Sequence, residues 1–360
     1  MHVLIVRLGA FGDIVHTLPL AADLAAAGHR VAWLCEDRWA PLLEGSSAIE
    51  RVFRLPRRLI RDPAGAMGGK LLALRRLARE LRAQRFDAAI DAQGLAKSAA
   101  LTVASGASLR LGHRRPRARE LSWLVTSRRS PVDAVHVIDQ QRALGLALTA
   151  GAKSARPCGP WRFPLPPWRA DHAWADEWLA RRQLSRPWLL NVGAGWPTKV
   201  WPKARQVEFV RACARARLTP LLVWGTHTEH DLAEEIIGEA GAGVLAPPTT
   251  IPQLAGLIAR AAVFVSGDTG PLHLSLALGT PAVGLFGPVP AERNGPRGRG
   301  YRTLQAPGAA WERRDVAKVD MGAIAADAVI AAARSAVDEA ALGDVAHGAM
   351  PADGMHGRRS

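Results

Sequence analysis

The chain has little from which to build a disulfide framework: three cysteines in 360 residues, Cys35, Cys158 and Cys213, scattered and without a C-x-x-C pair. An odd, dispersed set supports neither a disulfide scaffold nor a cysteine metal site, so the thiols are expected to stay reduced. Long hydrophobic runs are missing too, since no apolar segment approaches the ~20 residues of a membrane span. The first residues, MHVLIVRLGAFGD, lack the basic start, apolar core and small-residue cleavage site of a secretory signal. A cytosolic chain is expected. Acidic residues are scarce, 32 Asp and Glu against 47 Lys and Arg, a net charge of +15. The imbalance sits in the first half: residues 1–160 hold 25 basic against 13 acidic side chains, a net +12, while the remainder hold 22 against 19, a net +3. Such runs are most simply solvated faces, but a field this one-sided also attracts phosphates and anionic headgroups. The basic residues come without interleaved aromatic stacking positions, which argues against a nucleic-acid partner.

What is present reads as a folded α/β protein. Hydrophobic residues make up 48 % and charged residues 22 %, and the length suits two ordinary domains. VLIV (residues 3–6) is a buried-type strand, followed by a glycine loop, an apolar helix around residues 14–27 and a second strand, VAWLC. LLALRRLARELRAQ (residues 71–84) has helical periodicity, and FDAAIDAQG is a strand running into a loop. The run ARPCGPWRFPLPPWRA has five prolines and no apolar period, the mark of a linker. PWLLNVGAG then repeats the opening pattern, with a helix near residues 204–216, the strand PLLVWG and a helix from about Glu229. The expected organisation is an N-terminal α/β domain over residues 1–157, a linker over 158–170, a second α/β domain over 171–319, a terminal helix over 320–342 and a disordered tail over 343–360. Two open parallel sheets imply a cleft at the carboxyl ends of their strands, where ligands bind.

The richest segment is residues 266–288, SGDTGPLHLSLALGTPAVGLFGP, which puts an acid, glycines and a histidine where a strand turns into a helix. Pro271 can open that helix and Gly279 can close it. The simplest reading is that Asp268 or Thr269 caps the helix and His273 is a core histidine; the alternative is an anion site at the helix start, which Gly270 lets a ligand approach closely. Asp13 follows the first glycine loop, either as a helix cap or as a carboxylate at the cleft mouth able to take a proton, with His16 nearby. Lys199 is a surface lysine beside Trp201 or a mobile cation for a phosphate. Gly9, Gly12, Glu36 and Asp37 resemble part of a dinucleotide fingerprint, but LGAFGD lacks its third glycine. His227, Glu229, His230 and Asp231 in HTEHD lack the further ligands a metal site needs.

Taken together, VLIVRLGAFGDIVHTLP, DAAIDAQGLAKSAAL, TKVWP and the D-T-G-x-x-H stretch resemble glycosyltransferase family 9, which contains the lipopolysaccharide heptosyltransferases. DAQGLAKSA and RARELSWL resemble its heptosyltransferase I branch in particular. The resemblance spans nearly the whole folded chain. It implies a GT-B architecture, two Rossmann-like domains facing across a cleft, with ADP-heptose on the C-terminal domain and a Kdo-lipid A acceptor on the N-terminal one. By the same resemblance Asp13 is the general base of an inverting transfer, and Gly12, Lys199, Asp268, Thr269, Gly270 and His273 hold the donor, with Glu229 at its ribose. Arg57, Arg58, Arg61, Lys97 and Arg119 are the candidates for the acceptor's anionic groups. No D-x-D metal motif occurs, so neither metal nor cofactor is expected. Thr249 stands where relatives often place a methionine against the adenine, which leaves another nucleotide open; the nearest enzyme alternative is a family member with another sugar donor or a later heptose acceptor. A non-catalytic glycolipid-binding module would keep the basic patch without needing Asp13. Peripheral contact with the cytoplasmic face of the inner membrane, through the basic N-terminal domain, completes the expectation.

Overall fold

The computed structural model describes residues 1–57, 59, 67–130, 134–148, 157, 159–309 and 319–347. Arg58, Arg61 and Cys158 therefore lie outside the described residues. The N-terminal domain runs β1 (His2–Val6), α1 (Phe11–Ala26), β2 (Arg30–Glu36), a 3-10 turn (Asp37–Leu42), β3 (Arg51–Leu55), α2 (Met67–Ala83), β4 (Ala88–Asp91), α3 (Ala96–Ala104), β5 (Leu109–Gly112), a second 3-10 turn (Ser122–Val125), β6 (Arg128–Arg129) and α4 (Val137–Leu146). The C-terminal domain runs α5 (Arg169–Arg181), β7 (Trp188–Asn191), α6 (Lys203–Arg215), β8 (Pro220–Val223), α7 (His227–Ala240), β9 (Val244–Leu245), α8 (Ile251–Ala259), β10 (Val263–Gly267), α9 (Gly270–Leu278), β11 (Ala282–Phe286), α10 (Ala291–Asn294), β12 (Tyr301–Gln305) and α11 (Ala326–His347).

Each domain carries a six-stranded parallel sheet, ordered β3-β2-β1-β4-β5-β6 in the first and β12-β11-β10-β7-β8-β9 in the second. These are the same winding pattern. Strand order reverses between β1 and β4 in one sheet and between β7 and β10 in the other, and ligands of open α/β sheets bind at such switch points. The turns and helix starts that follow those four strands carry Asp13, Lys97, Lys199 and Asp268. Buried strands explain the runs read from the sequence: Val3 to Val6 are fully buried, covered on both faces as parallel strands are.

One apolar cluster continues from the α1 side of the first sheet into α8, α9 and β11 of the second domain, so the two domains share buried surface. A second cluster lies beneath α6 and α11, and a third lies under α2, where Leu77 and Leu81 meet the first sheet. The chain between the two sheets has no helix or strand over residues 159–168, yet it is packed. Trp161 stacks on His136 at 4.5 Å and its Nε1 donates to Asp139 at 2.8 Å, while Trp168 Nε1 donates to the Pro41 carbonyl at 3.0 Å.

Pro271 opens α9, and Gly279 closes it in a left-handed conformation at φ +75°. The terminal helix differs from its expected bounds: α11 reaches His347, five residues into the segment read as tail. Cys35 and Cys213 are buried and unpaired, and burial pushes each thiol up to about 12. No helix among the described residues is long and apolar enough to cross a membrane.

Candidate active site

The turn after β10 does not use its acid as a helix cap. Asp268 is buried, and its Oδ2 accepts from Lys199 Nζ at 2.5 Å, while Oδ1 accepts from Asn294 Nδ2 at 2.5 Å and lies 3.2 Å from His273 Nε2. Burial pushes its pKa up, but the His273 hydrogen bond and the Lys199 charge outweigh that and hold the carboxylate far below its ordinary range. Thr269 occupies the N-cap position of α9 without capping it; its hydroxyl lies 2.8 Å from that of Ser266 and 3.4 Å from Asn191 Nδ2. The helix start at Gly270 therefore lines the cleft without a side-chain cap, an arrangement that favours an anion.

Two glycines make room for this. A Cβ on Gly267 would lie 2.8 Å from the Lys199 carbonyl, so only glycine lets the Lys199 turn seat against β10. A Cβ on Gly193 would fall 1.9 Å from Glu229 Oε1. Glu229 is the third residue of α7 and forms a capping box with Thr226, its Oε2 accepting from the Gly225 and Thr226 amides at 2.8 and 3.1 Å. The cleft measures about 670 Å³. Lys199, Trp196, Glu229, Thr249, Asp268, Thr269 and Gly270 line it from one domain, and Phe11, Gly12, Arg38 and Trp39 from the other.

Asp13 stands on the N-terminal side. It sits in the first turn of α1, accepts the Ala10 amide at 3.1 Å, and has its Oδ2 2.5 Å from Arg7 Nη2. The cap reading of this residue is seen directly, and 41 % of the side chain is exposed. The packed side of the carboxylate pushes its pKa up, but Arg7, the Ala10 amide and Arg117 outweigh this and hold it below the usual value. It is ionised at neutral pH. Arg7 is itself buried, its Nη1 donating to the Ala92 carbonyl at 2.6 Å. Arg117 belongs to the same field, where burial and the charges of Arg293 and Arg7 bring it down to about 10.

The starts of α1 and α9 meet each other. A Cβ on Gly12 would lie 2.6 Å from the His273 ring, and one on Gly270 would lie 2.4 Å from Phe11. The His16 and His273 rings are 4.0 Å apart, and burial together with His273 and His136 drives His16 far below the ordinary histidine pKa. Gly12, Asp13, Lys199, Glu229, Asp268, Thr269, Gly270 and His273 are in this way gathered around one interdomain contact. The acceptor candidates are more spread. Lys97 begins α3, with Nζ 3.9 Å from the buried Glu36, which also pairs with Arg38 at 3.3 Å. Arg119 is exposed, with its amide bonded to the Gly94 carbonyl at 2.8 Å. Arg57 is exposed just beyond β3, with its amide 3.4 Å from Asp37.

Sequence reasoning missed Arg7, Arg117, Asn191 and Asn294. Arg7 and Asn191 directly follow or end the inner strands β1 and β7, a position that could have flagged them; Asn294 has no local signal. In HTEHD, Glu229 points into its cap and not toward His230, whose Nδ1 is 3.3 Å from Asp231 and 3.8 Å from Glu234, both exposed. The ligand atoms of His230, Asp231 and Glu234 lie within 4.8 Å of one another on α7, the two carboxylates exposed.

Comparison with known proteins agrees with this geometry. The model of glycosyltransferase family 9 (heptosyltransferase) matches residues 74–320. Lipopolysaccharide heptosyltransferase 1 of Pseudomonas aeruginosa is 31 % identical over 83 % of this chain and 82 % of its own, and that of Escherichia coli K12 is 30 % identical over 85 % and 94 %. Among solved structures, the E. coli heptosyltransferase WaaC with ADP-2-deoxy-2-fluoro heptose superposes with a TM-score of 0.72 at 26 % identity, over 92 % of this chain and 98 % of that one. The expected GT-B arrangement of two facing Rossmann-like domains is the one found. With a match that takes in the turns after β4, β7 and β10, the chain belongs to glycosyltransferase family 9, the heptosyltransferases, and is a glycosyltransferase.

Proposed function

We propose that the enzyme moves heptose from ADP-L-glycero-D-manno-heptose to a Kdo hydroxyl of a Kdo-lipid A acceptor in the lipopolysaccharide inner core, with Asp13 as general base. The observation that carries this reading is the meeting of α1 and α9, which sets an ionised, half-open carboxylate across one contact from an uncapped helix start and a lysine. In a single displacement the acceptor oxygen bonds to the anomeric carbon as the bond from that carbon to the diphosphate oxygen breaks, and the hydroxyl proton passes to Asp13. Inversion follows from attack on the face opposite the leaving group.

ADP leaves with its new negative charge against Lys199 and the α9 start, which act on charge that grows only as the bond breaks. A base with a depressed pKa suits a nucleophile that becomes acidic late, as its oxygen bonds to carbon. Glu229, with Oε1 turned toward Gly193, would take the ribose, and Thr249, on the same cleft wall, would face the nucleotide base. Support for the donor class comes from the E. coli WaaC structures, which hold ADP and a fluorinated ADP-heptose. Lys97, Arg119 and Arg57, with Arg58 and Arg61, would take the carboxylate and phosphate groups of the acceptor. The basic N-terminal domain would rest reversibly on the cytoplasmic face of the inner membrane, where such an acceptor lies.

The test is ADP release from ADP-heptose with and without Kdo-lipid A. Acceptor-dependent release is expected, and Asp13→Ala should lower kcat by ~10²–10⁴-fold, the range for loss of a general base. Release that ignores the acceptor would refute the assigned acceptor, and full activity in Asp13→Ala would refute the base.

A further inference from the structure

Five of the ten large apolar side chains exposed among the described residues lie on one flank of the N-terminal domain. Leu71, Leu72 and Leu74, in the first turns of α2, are 47, 47 and 38 % exposed, and Leu121 and Leu124, in the turn after β5, are 60 and 69 % exposed. α3 packs against both α2 and the Ser122–Val125 turn and so stands between them on that flank. Isolated exposed leucines need no explanation, whereas a cluster ringed by polar groups marks a binding surface.

The topology fixes which way this flank faces. α2 has 17 residues and so is about 26 Å long at 1.5 Å per residue. It ends close to the start of β4, a strand of four residues, which spans only about 13 Å. The helix is therefore about twice as long as the strand it leads into. Its second half buries Leu77 and Leu81 against the sheet, and its first half overhangs the carboxyl edge, where Leu71, Leu72 and Leu74 find no cover. The turn bearing Leu121 and Leu124 follows the carboxyl end of β5 and stands at the same edge. That edge also carries Asp13 and Lys97.

Charge identifies the occupant. α2 holds Lys70, Arg75, Arg76, Arg79 and Arg82 against Glu80, which already pairs with Arg51 at 2.7 Å, and Arg114, Arg115 and Arg119 adjoin the second turn. A second copy of this chain would set like charges against each other, whereas a bilayer with anionic headgroups satisfies both the cations and the leucines. We propose that this flank inserts Leu71, Leu72, Leu74, Leu121 and Leu124 into an anionic lipid surface. The inference rests on the membrane contact suggested above and turns a diffuse electrostatic attraction into a defined apolar anchor. It sets the sheet edge that carries the base against the lipid surface, so an acceptor anchored there presents its sugars at the cleft.

Flotation of the full chain with phosphatidylcholine vesicles containing phosphatidylglycerol, and no acceptor, tests this at low salt and at about 0.5 M NaCl, where the screening length is a few ångströms. The parent should bind and keep a salt-resistant fraction, because apolar insertion is not screened. L71S/L72S/L74S should bind at least ten-fold more weakly and lose that fraction, and L121S/L124S should lose part of it. Both variants should keep the parent's melting temperature and its turnover on an acceptor fragment without acyl chains. Complete release of the parent by salt, or variants that bind like the parent, would reject insertion while leaving the electrostatic contact standing. Failure of the parent to bind at all would remove both. A lipid-free dimer dissolved by the leucine changes would assign the patch to a second copy instead. Vesicle binding without heptose transfer would leave the anchor and remove the proposed function, so the two fail separately.

Discussion

The decisive residue is Arg7, because it sets what Asp13 can do. Its guanidinium is buried and fixed on the Ala92 carbonyl, so the contact with Asp13 is held by the fold and is no mobile surface pair. The groups packed around Asp13 raise its pKa, and Arg7 is the main force in the other direction. Replacing Arg7 with methionine should let the carboxylate pKa rise, which moves the acid limb of kcat/KM upward. With Asp13 as the proposed base, the parent's limb is expected below the ordinary carboxylate value of 3.8, since the shift is downward. The pH profile of the variant is the measurement, and an unmoved acid limb would show that Arg7 does not govern the base. None of this was legible in the chain. Asp13 could be read from its place after a glycine loop, but an arginine after a strand looks like any solvated charge. Asn294 was less visible still: its bond to Asp268 joins residues 26 apart through the return of the chain from β11.

Among the elements, α1 and α9 were readable one at a time but not as a pair. Apolar runs ending in glycine loops gave β1, β7 and β10, and Pro271 and Gly279 marked the ends of α9, because these signals are local. The contact between Gly12 and His273, or between Phe11 and Gly270, depends on how two domains dock, and no spacing in the sequence encodes it. Its glycines make sharp predictions. In Gly270→Ala the new methyl group would overlap the Phe11 Cβ and ring, atoms close to the backbone that cannot swing away, so the two helix starts must separate. A displacement of about 1 Å between catalytic groups costs on the order of 10²-fold, and kcat should fall by at least ten-fold with donor KM less affected. Gly193→Ala differs in kind, since the methyl group meets the end of the flexible Glu229 side chain. Glu229 should rotate out, the α7 cap weaken by about 0.5–2 kcal/mol, and donor KM rise while kcat holds. Steady-state kinetics on both variants separates the cases, and a Gly193→Ala enzyme with unchanged donor KM would take Glu229 out of the donor site.

At the scale of the whole molecule, His136 and His16 stand where the two domains meet, and their depressed pKa values make closure and stability depend on pH. His136 caps α4 and bridges the domains: its Nδ1 accepts from the Ile138 amide at 3.2 Å, so its Nε2 carries the proton and donates to the Gly295 carbonyl at 3.0 Å. Protonation would destroy the Nδ1 acceptor. Burial brings His136 down to about 4 and His113 down to about 3, and burial with neighbouring charge drives His16 in the same direction. Unfolded, all three titrate near 6.5, so below that pH the unfolded chain binds protons that the folded chain refuses. Stability should therefore fall as pH drops from 6.5 toward 4, by up to ~1.4 kcal/mol per pH unit for each histidine. Asp13 and Asp268, with depressed pKa values, add loss of the same sign only below 3.8, and Asp91, raised by burial, opposes it. Urea unfolding at several pH values between 7.5 and 4.5 measures the slope, and His113→Gln should flatten it without touching the interface. His136→Gln should flatten it too, and should also weaken the bridge to Gly295, which small-angle scattering would register as an opening of the cleft at neutral pH. A stability that stays level from pH 7 to 5 would mean these histidines take up protons in the folded state, and the bridge at His136 would then have to survive with a charged ring.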